Sequence, residues 1–343
     1  MSKIKPSQGA PYARILGVGG YRPTRVVPNE VILETIDSSD EWIRSRSGIA
    51  TRHWASDEET VAAMSVEASG KAIADAGIRA EQIGAVIVST VSHFKQTPAI
   101  ATEIAHRVGA GKPAAFDISA GCAGFGYGLT LAKGMIVEGS AEYVLVIGVE
   151  RLSDLTDKED RATAFLFGDG AGAVVVGPSD VPAIGPTVWG SEGDKSETIK
   201  QTVPWNDFHV GDVSKLPLDR DGNIKFPAIT QEGQAVFRWA VFEMAKVAQQ
   251  ALDAAGISPE DLDVFIPHQA NMRIIDSMVK TLKLPEGVTV ARDVETTGNT
   301  SAASIPLAME RLLATGQAKS GDTALVIGFG AGLVYAATVV TLP

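Results

Sequence analysis

A single cysteine, Cys122, stands among 343 residues, which excludes an internal disulfide and any cysteine-rich metal site. Histidine is scarce too. The five are His53, His93, His106, His209 and His268, and no His or Cys pair has metal-ligand spacing, so no bound metal is expected. Positive charge is in deficit: 30 Lys and Arg face 41 Asp and Glu, a net charge of −11. Nucleic acid wants a basic surface, so no such partner is expected. The opening stretch, Met1 to Tyr12, lacks an apolar core, which predicts no secretory signal. A lone cysteine suits a reducing, cytoplasmic compartment. Long uncharged runs are missing with one exception, Thr323 to Pro343. Its length would span a bilayer, but three glycines in GFGAG interrupt it and Val and Thr fill it. Two buried strands joined by a Gly turn are expected there, and no membrane partner.

What is present begins with DISAGCAGFGY, Asp117 to Tyr127. Ala114 to Phe116 reads as the end of a buried strand, and 123–137 as a proline-free helix. A strand, a Gly-rich turn and a helix would put Cys122 at a helix N-terminus, where the macrodipole and free N–H groups favour a thiolate. The plainer alternative is a buried cysteine acting as a small hydrophobe.

Elsewhere, periodicity predicts strands at 13–18, 83–91, 143–149 and 263–266, and helices at 31–36, 38–46, 61–76, 97–108 and 230–255. Ser38 or Ser39 would cap the second helix. AFLFGDGAGAVVV (164–176) reads as two strands around a Gly-rich turn. Between Gly177 and Lys225, five prolines mark irregular loops, read as a junction plus an insertion.

The chain repeats itself. AGI at 76–78 returns at 255–257, an offset of 179, and LVIG at 145–148 returns at 325–328, an offset of 180. GDGAG after the first LVIG has a counterpart in GFGAG at the second. Two matches at nearly one offset, about half the chain, imply a duplication. Each half alternates helices with buried strands. The expectation is an α/β fold of two parallel-rich halves, 1–177 and 178–343, with a site where corresponding strand ends meet.

The offset also finds partners for Cys122. Moved by 180 it lands at 302, inside GNTSAASIP (298–306); position 89 moved by 179 lands on His268, inside PHQAN (267–271). Related by a pseudo-twofold axis, Cys122, His268 and Asn299 would converge. That trio suits acyl transfer through a thioester: a thiolate attacks a carbonyl, and fixed N–H donors hold an oxyanion or an enolate. Taken singly, His268 reads as a core histidine at a strand end and Asn299 as a turn residue.

The sequence as a whole resembles the β-ketoacyl-acyl carrier protein synthase III family, the condensing enzymes that initiate fatty acid synthesis. ILGVGGYRP (15–23), DSSDEWIRSRSGI, the Cys122 turn, FGDGAGA, PHQANMRII and GNTSAASIP match in order over nearly the whole chain. The resemblance implies the thiolase-like fold, two duplicated halves in five αβαβα layers, as a homodimer. It implies that Cys122 takes an acyl primer from coenzyme A. His268 and Asn299 would hold a malonyl thioester carbonyl during decarboxylation, and the carbanion would attack acyl-Cys122. Backbone N–H groups of Cys122 and Ala331 would form the other oxyanion hole; alanine departs from the family's glycine there, but only its backbone is needed.

Further roles come from the same match. Trp42, Arg46, Arg161 and Asn271 would bind coenzyme A and its pantetheine arm, stacking plus guanidinium being sound chemistry for a nucleotide. Gln269, Arg273, Arg238 and Lys280 would meet the acidic acyl carrier protein, the cations as a local basic patch on an acidic chain. Phe329 would pack beside the cysteine. Thr97, a small pocket-floor residue donated across the dimer, would admit a branched short primer such as isobutyryl; capping the helix that begins at Pro98 is its other reading. No resident cofactor is implied, coenzyme A thioester being substrate. A polyketide starter-loading enzyme on the same scaffold is the alternative. A thioester hydrolase lacks a second base beside Cys122, and a non-catalytic protein has no reason to keep all three residues.

Overall fold

The computed structural model describes residues 4–343. In the first half lie β1 (Tyr12–Tyr21), α1 (Val61–Asp75), β2 (Ile83–Ser89), α2 (Ile100–Arg107), β3 (Ala114–Ile118), α3 (Gly124–Glu138), β4 (Tyr143–Arg151) and β5 (Asp169–Ser179). In the second lie β6 (Val188–Gly190), α4 (Gly233–Ala255), β7 (Val264–Pro267), α5 (Met272–Leu282), β8 (Thr289–Val290), α6 (Ser304–Ala314), β9 (Thr323–Gly330) and β10 (Val334–Thr341).

The two sheets have one topology. The first runs β1-β5-β4-β2-β3 and the second β6-β10-β9-β7-β8. In each, the first three strands are antiparallel neighbours and the last three parallel. The repeat in the sequence is thus one supersecondary unit used twice.

Burial explains the layering. Strands that read as continuous apolar runs bury both faces. Ile87, Val146 and Val174 of the first sheet and Ile266, Val326 and Val340 of the second share one core with Phe125 and Leu129 of α3 and Ile305 and Met309 of α6. The opposite face of the first sheet packs on α1 and α2, and that of the second on α4 and α5. The result is the five-layer αβαβα order of a thiolase-like fold.

Local chemistry sets the ends. The Ser39 side chain accepts from Trp42 N–H and caps the helix at Asp40–Ser47. Thr60 caps α1. At α2 the expectation fails: Thr97 caps nothing, and the helix starts at Ile100, where the Asp117 carboxylate accepts the N–H groups of Ile100 and Ala101. β3 is half-exposed, being the edge strand of its sheet, so it is not the buried strand expected. Residues 164–176 are not two strands; 164–166 form a turn, Phe167 makes an isolated bridge to Asn299, and β5 starts at Asp169. The long helix begins at Gly233, because Ile229–Gln231 pairs instead with Ile199–Gln201.

Candidate active site

Two short turns meet between the sheets. Gly121–Ala123 leads into α3 and carries Cys122; Ser301–Ala303 leads into α6. Their backbones match: Gly121 and Ser301, corresponding positions of the two copies, both have φ +47°. The contacts are exchanged between halves. A Cβ on Gly148 of β4 would collide with the Ala302 carbonyl, and one on Gly328 of β9 would lie 2.9 Å from the Cys122 carbonyl oxygen. These glycines end the two LVIG copies, so the repeated motif is the seat for the other half's turn.

Cys122 faces a cavity of about 210 Å³ that His268, Asn299, Ser301, Phe329 and Ala331 also line. A Cβ on Gly121 would lie 3.3 Å from Ala331 N, so the Cys122 and Ala331 backbones run side by side. Burial pushes the Cys122 thiol up to about 12; Ser301 opposes this and the Glu150 charge adds to it. The thiolate expected from the helix terminus is therefore overruled by desolvation in the free protein.

His268 follows β7, its N–H donating to Ile327 O at 2.7 Å. It is 2% exposed, and burial lowers its pKa to about 3, so the ring is neutral. Nδ1 lies 2.7 Å from Ser304 Oγ, which accepts the Gln269 N–H at 3.3 Å. The direction of the Ser304–Nδ1 bond follows the ring tautomer. A serine proton donated to Nδ1 places the neutral ring's own proton on Nε2, as a donor.

Asn299 is held from the other half: its N–H donates to Leu166 O, and its carbonyl accepts Gly168 N–H. Its Oδ1 accepts the Ser301 N–H at 2.9 Å, leaving the amide nitrogen as the free donor. Phe329 packs edge-on against His268 at 5.4 Å between ring centres. The structure thus brings Cys122, His268, Asn299, Phe329 and Ala331 to one cavity. Among the described residues no His, Cys, Asp and Glu cluster could hold a metal ion, and no helix is long and apolar enough to cross a membrane.

Over all 343 residues, and all of the relative's length, the chain is 89% identical to "Beta-ketoacyl-[acyl-carrier-protein] synthase III 1" of Streptomyces coelicolor. The chain belongs to the 3-oxoacyl-[acyl-carrier-protein] synthase III family. The family's C-terminal region matches residues 252–342, and its synthase III region residues 116–193, which contain Cys122. Among solved structures, the priming β-ketosynthase of the R1128 polyketide pathway superposes with TM-score 0.94 at 45% identity, covering 100% of this chain and 99% of that one. The synthase III of Aquifex aeolicus gives 0.85 at 37% identity, covering 96% and 99%.

In this synthase III chain the mouth of the site is a second cavity lined by Trp42, Arg46, Arg238, Asn271 and Arg273, sharing Asn299 with the first. The Arg46 and Arg161 guanidiniums sit over the Trp42 ring, at 5.8 and 5.2 Å. Arg46, Arg161, Arg238 and Arg273 are exposed, and among the described residues none has an ion-pair partner. Lys280 is exposed further along α5 and lines neither cavity. The Asn271 amide is already engaged, donating to Arg46 O at 3.0 Å and accepting Arg273 N–H as the cap of α5.

Gln269 must be removed from the carrier-protein surface. It is 1% exposed, its nitrogen donates to Pro267 O and Ala291 O, and its oxygen accepts Val294 N–H. It is a strap across the β7 end, not a contact residue. Thr97 is exposed and does not line this chain's cavity. Ser301, Ser304 and Glu150 were not anticipated. The duplication carries a signal for two of them: Ser301 corresponds to Gly121, and Ser304 to Gly124, so each is a side chain where the other half has none.

Proposed function

We propose that this chain catalyses the decarboxylative Claisen condensation of a short acyl-CoA primer with malonyl-acyl carrier protein. The products are a 3-oxoacyl-acyl carrier protein, coenzyme A and carbon dioxide. The observation that carries the reading is one cavity shared by a thiol and two neutral N–H donors, Cys122 against His268 and Asn299.

Acylation begins when Cys122 Sγ attacks the primer thioester, with Cys122 N–H and Ala331 N–H as donors to the tetrahedral oxyanion. His268 Nε2–H and the Asn299 amide then hold the malonyl carbonyl oxygen. As carbon dioxide leaves, negative charge moves onto that oxygen, where neutral donors stabilise it without being consumed. The enolate carbon attacks acyl-Cys122 and frees the thiol. Neutral His268 suits this step because it keeps a proton to share and adds no charge that would pin the malonyl carboxylate.

At the mouth, Trp42 and the two guanidiniums near its ring offer an aromatic surface and phosphate partners for coenzyme A. Arg238 and Arg273 are free cations for an acidic carrier protein, and Lys280 extends that face. No resident cofactor is required, and a cytoplasmic setting fits. A homodimer is inferred from β3, whose outer edge has no partner strand among the described residues. In such a dimer Thr97 would meet the partner, and its small size would admit isobutyryl as well as acetyl. The likeness to a priming ketosynthase of a polyketide pathway favours starter loading as the second reading.

Intact mass after mixing with a panel of acyl-CoAs tests the proposal. An acyl adduct on Cys122, discharged by malonyl-acyl carrier protein into a ketoacyl product, is expected. No adduct with any acyl-CoA would sink it, and discharge only by a polyketide carrier protein would favour the second reading.

A further inference from the structure

A buried guanidinium is wedged against the turn that carries Asn299. Arg52 lies on the short strand Thr51–Trp54, which pairs with Arg25–Pro28. It is 0% exposed. Its three hydrogen-bond partners are uncharged oxygens. Nη1 donates to Val27 O at 3.1 Å, and Nη2 donates to Asn29 Oδ1 at 2.6 Å and to Phe165 O at 2.9 Å. Negative charge stands one step removed, at Asp40, which accepts from Asn29 Nδ2 at 2.7 Å. The Arg52 Nε–H is buried with no partner among the described residues. A cation kept in this way costs stability that an apolar side chain of similar size would not. What it holds is therefore the question.

One object of its grip is the first-half segment that holds Asn299. Phe165 O, which Arg52 takes, immediately precedes Leu166 O, which accepts the Asn299 N–H at 2.8 Å. Gly168 N–H then donates to Asn299 O at 3.0 Å, with Phe167 bridged to Asn299 between them. Trp54 supports the same segment with a longer bond, Nε1 to Phe167 O at 3.4 Å.

The other object is the second-half segment that runs into Asn299. Ala50 N–H donates to Glu295 O at 2.7 Å, and Thr51 Oγ donates to Thr296 O at 2.8 Å. The Arg52 stem lies between the two segments. A Cβ on Gly298 would sit 2.9 Å from Arg52 Cβ, and one on Gly168 would sit 3.3 Å from it. One side chain thus touches both strips of backbone whose pairing places Asn299.

We infer that Arg52 is the positioning residue of Asn299, fixing the backbone from which the amide donor reaches the malonyl carbonyl oxygen. This rests on the acyl-transfer reading above and adds what aims one of its two donors. Asn299 Oδ1 is tied to the Ser301 N–H, so the direction of the amide nitrogen follows the backbone around it. A misplacement of about 1 Å at a reacting centre costs on the order of 100-fold in rate. Arg52 touches no reacting atom and acts through Asn299 alone. Its loss should therefore appear in decarboxylation and not in acylation.

The test compares wild type, Arg52→Lys, Asn299→Ala and the double variant. Carbon dioxide release from malonyl-acyl carrier protein reads decarboxylation, and quenched intact mass reads acylation of Cys122. Acyl-CoA is saturating, because the Phe165 ring also meets Trp42 edge-on at 5.5 Å between centres. Lysine keeps the charge but lacks the planar fork that spans the Val27, Asn29 and Phe165 oxygens. Arg52→Lys should slow decarboxylation by at least about tenfold and leave acylation within about twofold of wild type. Added to Asn299→Ala it should cost nothing more, since the residue it aims is gone. A residue that only stabilises the fold would lower the melting temperature and leave the ratio of the two rates at its wild-type value. That result overturns the inference, as do equal losses in both rates or losses that multiply in the double variant. Should Arg52→Lys not fold, Asn29→Ala decides. It removes the 2.6 Å partner of the nitrogen that also holds Phe165 O, and should give the same one-sided loss. Absence of any adduct on wild type would instead defeat the acyl-transfer reading itself.

Discussion

His268 Nδ1 and Ser304 Oγ lie 2.7 Å apart, and the serine oxygen also takes the Gln269 N–H. A hydroxyl that donates to Nδ1 holds the ring proton on Nε2, the donor that the proposed decarboxylation uses. Ser304→Ala should lower the rate of malonyl decarboxylation by about tenfold while Cys122 acylation stays near wild type. Carbon dioxide release from malonyl-acyl carrier protein measures the first and intact mass the second. Equal loss of both would contradict the tautomer role.

Asn299 offers only its amide nitrogen, since Oδ1 is bound to Ser301 N–H. Asn299→Ala should leave acylation largely intact and cut decarboxylation by roughly 100-fold or more, the usual cost of one oxyanion donor. Asn299→Asp should be no better, because the oxygen it substitutes is an acceptor. Recovery of activity in the aspartate variant would count against the donor role.

Among the described residues Arg238 and Arg273 have no ion-pair partner, at the mouth of the site in an acidic protein. Reversing either to Glu should raise KM for malonyl-acyl carrier protein by about tenfold, with a smaller effect at high salt, where screening shortens the reach of charge. Gln269 predicts the opposite pattern. Gln269→Ala should cost stability, because three backbone groups lose their partner, and should leave the salt dependence of KM unchanged.

Glu150 sets a pH dependence of stability. Burial raises its folded pKa from 4.5 to about 7, so the folded state binds its proton more tightly than the unfolded state. Below about pH 4.5 both states are protonated and the difference vanishes. As pH rises from there through 7, wild type loses up to a few kcal/mol that Glu150→Gln does not lose. Urea denaturation at acid and neutral pH should show the variant gaining on wild type only at the higher pH. A constant difference would remove Glu150 as the cause.

Much of the site could be read from the chain because duplication converts sequence distance into spatial correspondence. Cys122, His268 and Asn299 meet at one cavity for that reason. What could not be read was burial. Gln269 looks like any amide beside His268 until three backbone partners claim it. Glu150 reads as an ordinary strand end, and its seclusion appears only when β2, β4 and the Ser301 turn are packed together. FGDGAGA misled in another way. Its glycines look like turn formers, but at Gly172 in β5 a side chain would strike Pro306 of α6, so glycine there gives the central helix room.

The exchanged seats of Gly148 and Gly328 have a consequence for how such a chain can change. Each copy holds the other's turn in place, so neither copy carries a self-sufficient workshop. A substitution around 325–328 is felt first at the thiol in the distant first copy, and one around 145–148 at the amide of Asn299. Drift in one copy must be answered in the other, and because both sheets share one core, a fragment holding one copy loses that packing along with the floor under its own chemistry.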